Sequence, residues 1–179
     1  LSSTTISLAN YSLKKQSNGG SWVDNLLLDT AAFLVDPSAT SIIPNDVFVI
    51  IHSGAAEQHL IDNADFVVPN NSQSPYKYAS PLNFNGNDPV GLFKNGVLID
   101  IIGQEGNSSN HIQNGTYRRK SNILTPNATF NSNEWNLLSA NTFDDIGSHT
   151  STLSTSAIAF ESFKMFPNPT NGNRVYFSV

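Results

Sequence analysis

With 179 residues, of which 39% are hydrophobic and 13% charged, the chain has room for one folded domain with a short appendage. A net charge of −5 and a pI near 5.1 argue against a general binder of nucleic acid or anionic membrane, whose surface would be basic. The lack of cysteine excludes disulfides and thiolate metal sites. The longest apolar run, Val47 to Ile51, is far short of the ~20 residues a membrane helix needs, so no transmembrane segment is expected.

Residues 1–10 read as a turn leading into the first strand, Tyr11 to Gln16, which alternates Tyr11, Leu13 and Lys15 against Ser12, Lys14 and Gln16. Ser17-Asn18-Gly19-Gly20 turns the chain toward Trp22 and the Leu26-Leu27-Leu28 run. After a polar loop at 36–41 and a turn at Pro44-Asn45-Asp46, Val47 to His52 reads as a continuous apolar strand buried on both faces. Ala55 to Ala64 is the one helix expected, with Ser53 as N-cap and Leu60, Ile61 and Ala64 facing the core. A polar loop at 69–81 carries Tyr76 and Tyr78.

Leu82 to Gly103 is the organising stretch. Val90 to Lys94 and Val97 to Ile102 flank Asn95-Gly96, the dipeptide best suited to a type I′ hairpin turn. Apolar residues on both faces of the second strand predict a hairpin in the middle of the fold, and Pro89 stands where no ladder donor is lost. Beyond a polar loop at 103–115, Thr116 to Lys120 and the Trp135, Leu137, Leu138 segment read as strands. The fold class expected for residues 1–150 is an all-β sandwich with one short helix. Residues 151–162 form a Ser/Thr-rich linker. Residues 163–179 restart a turn-and-strand pattern at Pro167-Asn168-Pro169-Thr170, where the prolines forbid helix.

Leu82 to Gly103 resembles the core hairpin of the lamin-tail domain family, in the version carried by secreted proteins of Bacteroidetes-type bacteria. Tyr11 to Trp22, Ile43 to Ile51, Thr116 to Ser121, Asn133-Glu134-Trp135 and Phe143 to His149 match the same version in order. The resemblance implies an immunoglobulin-like β-sandwich with no catalytic centre of its own, and one or two further strands ahead of Leu1. A chain that starts at Leu1 rather than Met is then expected to be a fragment with an exposed sheet edge and an export signal upstream. The segment from 163 resembles the truncated start of a type IX secretion sorting domain, with Pro167, Asn168 and Pro169 as its signal turn. Its implied partner is the type IX secretion machinery, and the implied location is secreted or attached to the cell surface.

The remaining constellations favour structural roles. His52, His59, His111 and His149 show no i, i+4 metal spacing. Acidic residues gather at Asp144-Asp145, at Asp62 and Asp65, and at Asp88. Asn83 to Asp88 has the Asn/Asp look of a calcium loop, yet no terminal Glu closes it, and these residues also cap tight turns. Arg118-Arg119-Lys120 lies on a strand, so neighbours face opposite ways; Arg119 is expected to bridge to Glu134 or Asp144. Trp22, Tyr76, Tyr78 and Trp135 could form a glycan-stacking platform or serve as packing. No G-x-S-x-G elbow, P-loop or G-x-G-x-x-G occurs. No catalytic, cofactor or metal residue is therefore expected. Three functions remain open: a non-catalytic attachment module for an unknown protein, glycan or surface partner; a substrate-binding arm of an extracellular nuclease or other hydrolase, the one route to DNA; and a carbohydrate-binding or adhesive sandwich.

Overall fold

The computed structural model describes residues 2–73, 76–110 and 114–150. The linker and the Pro167–Pro169 turn lie outside the described residues, as does His111. Among these residues, ten strands and one α-helix follow in chain order: β1 (Ile6–Ser7), β2 (Tyr11–Gln16), β3 (Trp22–Leu27), β4 (Ser41–Ile42), β5 (Ile50–His52), α1 (Gln58–Asp62), β6 (Phe66–Val68), β7 (Val90–Lys94), β8 (Val97–Ile102), β9 (Gly115–Arg119) and β10 (Trp135–Ser139). The fold is all-β. A four-stranded antiparallel sheet runs β3-β2-β7-β8, accompanied by the pairs β1-β4, β5-β6 and β9-β10. Only β5-β6 is parallel.

One face of the large sheet packs against β1, β4, β5 and β6. Leu8, Leu26, Leu28, Leu34, Phe66, Val68 and Ala79 form the buried cluster between them. Phe66 sits at its centre, fully buried, with Phe33 edge-on at 5.6 Å and Phe48 at 6.0 Å. The opposite face carries a smaller cluster in which Trp22 meets Phe93 edge-on at 5.2 Å. The strands read from the sequence around β2, β7–β8, β9 and β10 form where expected, and Asn95 and Gly96 take φ of 51° and 77°, the two left-handed residues of a type I′ turn.

Five expectations need correction. The hairpin is not wholly central: β7 is an inner strand, but β8 is the edge of its sheet, and Val97 is 64% exposed. Asp100 covers part of that edge: its carboxylate accepts from the backbone N–H of Ile101 (3.0 Å), a donor that a stray strand would seek, and from the N–H of Asn127 (3.2 Å) in the loop that passes it. The helix spans Gln58–Asp62 and buries no residue. Ser53 does not cap it. Its N–H donates to the carbonyl of Val68 and its hydroxyl accepts from the N–H of Asn70, so strand-like pairing holds this segment extended past the predicted start.

The strand at 47–52 is shorter than its apolar run. Val49 donates its N–H to the Asp65 carboxylate at 2.7 Å rather than to a ladder carbonyl, which delays regular pairing until Ile50. Residues 1–10 contain more than a turn, since β1 pairs with β4 through Ile6–Ile42 and Ser7–Ser41. Finally, β2 does not alternate cleanly. Pairing with β7 runs unbroken from Tyr11 to Lys15, and the register shift against β3 falls on the β3 side. Lys15 therefore shares the inward face of Tyr11 and Leu13. Both it and Gln16 are buried, at 6% and 4% exposure, and a buried lysine needs a reason.

The reason is the Asn83–Asp88 turn. Lys15 Nζ lies 4.0 Å from Asp88 Oδ2 and 3.5 Å from the Asn83 carbonyl oxygen. The Lys15 ammonium is thus the cation that the Asp88 carboxylate faces. The remaining capacity of Asp88 is taken by backbone donors: Oδ1 accepts from Asn18 N–H at 2.7 Å and Oδ2 from Asn85 N–H at 3.2 Å. Asn and Asp therefore cap turns here.

Candidate functional site

Ile101 is the buried, penultimate residue of β8, and the chain leaves the strand through Gly103 into a loop at 104–110. A second loop, 124–131, returns past the same edge before β10. Between them lies an open cleft of about 520 Å³ lined by Ile101, Gln104, Glu105, Thr129, Phe130 and Asn131 among others. Its lining offers an amide, a hydroxyl and a carboxylate beside one aromatic ring. Glu105 Oε1 accepts from Trp22 Nε1 at 2.8 Å, which couples the cleft wall to an indole on the outer face of the sheet.

Both walls are fixed from behind. On one side, Gln16 Oε1 accepts from Gly106 N–H at 2.8 Å, and Asn87 Nδ2 donates to Asn18 Oδ1 and to the Ser108 carbonyl. Gly19, at φ 70°, brings the turn after β2 so close that a Cβ there would stand 2.7 Å from the backbone carbon of Asn107. On the other side, Arg119 is the tie. Its Nη1 donates to both oxygens of Asp100 at 2.7 and 2.5 Å, and its Nη2 to Glu134 Oε2 at 2.5 Å. Asn127 Nδ2 donates to the second Glu134 oxygen at 2.7 Å. The guanidinium carbon lies 4.9 Å from the centre of the Trp135 ring, its direct partner across β9 and β10. This cluster fastens the β9–β10 pair and the 124–131 loop to the edge of the large sheet.

The expected Arg119–Glu134 bridge is present; Asp144 belongs instead to Arg118, whose Nη2 lies 2.6 Å from carboxylate oxygens of both Asp144 and Asp145. The two arginines face opposite ways, as strand geometry requires. Their pairing with four carboxylates spends the charge that a phosphate-binding patch would use.

Glu134 is held below the usual glutamate range, first by the Asn127 bond and then by Arg119, against an opposing effect of burial. Asp144 is lowered in the same way, first by Arg118. A carboxyl lowered on folding contributes stability above its unfolded value, about 4.3 for glutamate, and that contribution is lost as pH falls through the lower folded value. Asp65 has the opposite sign, raised first by burial. The melting temperature is expected to fall on acidification below about pH 4.3, and less steeply in Glu134→Gln. Identical acid profiles for the two proteins would refute this assignment.

The other sequence candidates do not converge. His52 Nδ1 accepts from Gly54 N–H at 2.7 Å, His59 is exposed on α1 and His149 is half-buried. Among the described residues, no group of three or more His, Asp and Glu side chains is placed to hold a metal ion. The four aromatic residues do not share a platform: Tyr76 packs edge-on to Phe33 at 5.0 Å, Trp22 lies against Phe93, Trp135 against Arg119, and Tyr78 is 58% exposed with Lys77 over its ring. The cleft residues Gln104, Glu105, Thr129 and Asn131 went unnoticed in the sequence because they sit in Asn/Ser-rich loops without spacing. The one available signal was Asp100, a lone charge inside an apolar strand. No protein family, curated protein or solved structure matches the chain.

Proposed function

We propose that this domain is a non-catalytic attachment module of an exported bacterial protein, of the immunoglobulin-like lamin-tail type, sent out by type IX secretion through the segment from residue 163 that carries the Pro167-Asn168-Pro169 turn. It acts at the cell surface or outside the cell. The observation that carries the binding reading is the cleft beside β8: open, lined by uncharged hydrogen-bonding groups with one carboxylate, and braced on both sides by ion pairs and buried amides. Preorganised donors and acceptors without net positive charge suit a neutral, hydroxyl-rich ligand, so the favoured attachment target is a glycan. The clustered ionisable side chains support a module rather than an enzyme, because they are spent on one another.

The test is a titration of the full chain with soluble polysaccharides and with supercoiled plasmid. Because Glu105 holds the indole of Trp22, glycan binding is expected to change Trp22 fluorescence, and Trp22→Phe should remove that change. Glu105→Ala should weaken binding about tenfold, the loss of a charge-assisted hydrogen bond. Metal-dependent plasmid nicking would overturn the non-catalytic reading. A plasmid shift without nicking would favour the arm of a nuclease, and silence with every polysaccharide would remove the glycan as target.

A further inference from the structure

A second cavity lies in the sandwich, remote in character from the polar cleft. It measures about 370 Å³ and is lined by Ile6, Leu13, Ile42, Phe48 and Leu92 among other apolar residues, with the Tyr11 phenol as its polar group. Seven of its nine lining residues are only half-buried, though they face the inner side of a sheet where closure against water is the rule. Next to it is a polar hollow of about 510 Å³ that shares Ile6 and Tyr11 with it and adds Lys94.

The register explains this adjacency. Tyr11 stands directly across from Lys94, and Leu13 from Leu92. Alternation along each strand puts all four on one face, so the floor runs from apolar at Leu13 and Leu92 to cationic at Lys94 within two residues. Lys94 Nζ lies 4.9 Å from the centre of the Tyr11 ring and forms no ion pair among the described residues. A lone exposed ammonium at the mouth of an apolar cavity is the complement of an amphiphile with one anionic head.

We infer that this paired cavity binds a medium-chain carboxylate, its alkyl chain lying over Leu13 and Leu92 and its carboxylate at Lys94. The cavity equals about twelve waters at about 30 Å³ each, and a methylene needs similar room, so chains of roughly eight to ten carbons fit with the slack that imperfect filling leaves. This site, over the inner strands β2 and β7, is independent of the glycan reading, which concerns the β8 edge of the sheet.

The test is calorimetric titration of the full chain with hexanoate, octanoate and decanoate below their micellar concentrations, with octanol as the uncharged control. Affinity is expected to rise about fourfold per added methylene, the buried-CH₂ increment, and then to level off once the cavity is full. Lys94→Gln should weaken octanoate about two- to fivefold, as for an exposed ion pair, and leave octanol unchanged. Leu92→Phe should abolish both; Ile42→Phe, from the opposite wall, is the second filling variant should the first not fold. An affinity independent of chain length, equal loss of octanol in Lys94→Gln, or no heat with any ligand would overturn the inference. So would binding confined to anionic phospholipid vesicles, or a concentration-dependent dimer that filling variants abolish, since these name a membrane or a second copy as the occupant.

Discussion

Replacing Arg119 with methionine is expected to lower the unfolding free energy by about 2–4 kcal/mol, because Asp100 and Glu134 keep their charges at neutral pH and lose the cation between them. The upper figures for buried pairs are discounted because the Arg119 side chain retains 16% exposure and solvent screens part of the interaction. For a chain of this size the loss corresponds to roughly 4–16 °C in melting temperature. Arg119→Lys should recover less than half of it, because one ammonium cannot reproduce donors aimed at Asp100 from Nη1 and at Glu134 from Nη2. Adding Asp100→Asn to Arg119→Met should restore part of the loss by removing one stranded charge. An unchanged melting temperature, or full rescue by lysine, would mean that the β9–β10 pair is held by something other than this cluster. The consequence for function follows from position: Asn127, bonded to Glu134, lies two residues before Thr129 in the cleft wall, so the methionine variant should also weaken glycan binding.

Gly19→Ala should cost about 2–5 kcal/mol, from two separate sources. A side chain at φ 70° carries a left-handed penalty of about 1–2 kcal/mol, and overpacking adds about 1–3 kcal/mol. The second source is real here because the atoms that a Cβ would meet at 2.7 to 2.9 Å are backbone atoms of Gly106, Asn107 and Ser108, which cannot rotate away. Gly96 supplies the control. It shares a left-handed conformation at φ 77°, but a Cβ there meets nothing within 4 Å, so Gly96→Ala should cost only the left-handed penalty of about 1–2 kcal/mol. Chemical denaturation of the two variants separates these terms, and equal losses would show that the contact between the turn and the 104–108 loop gives way freely. The Gly19 variant should also shift Trp22 fluorescence, since displacing that loop moves Glu105.

Several elements were legible from local pattern. Asn95-Gly96 between two apolar runs dictates a type I′ hairpin because few other dipeptides accept φ > 0 twice, and the register of β7 and β8 follows from it apart from a shift between Leu92 and Phe93. The alternation around β9 and β10, and the separation of Arg118 from Arg119, follow from the period of two. The all-β class follows from short apolar runs divided by Asn, Gly and Pro. Even the turn role of Asn83–Asp88 was readable, since the loop lacks a closing Glu.

What the local pattern misjudged was decided by partners distant in sequence. Ala55–Ala64 has helical spacing, but Ser53 is drawn into pairing with Val68 and Asn70, and a five-residue helix has too little internal bonding to resist. Val47–Val49 has strand composition, but the Asp65 carboxylate captures the Val49 amide. Lys15 alternates with Tyr11 and Leu13 onto the inward face of β2, and only the fold supplies the Asp88 carboxylate, 73 positions away, that meets it there. The polar cleft depends on two loops that no spacing links, and the apolar cavity with Lys94 at its mouth depends on which strand lies beside β2. Sequence by itself determined β2, the β7–β8 hairpin, β9, β10 and the turn chemistry, because these rest on backbone preferences within a few residues. Tertiary structure alone decided edges, ion-pair partners and cavities, because those are set by long-range closure of the chain, in which a buried charge or unpaired amide takes whichever partner the fold delivers.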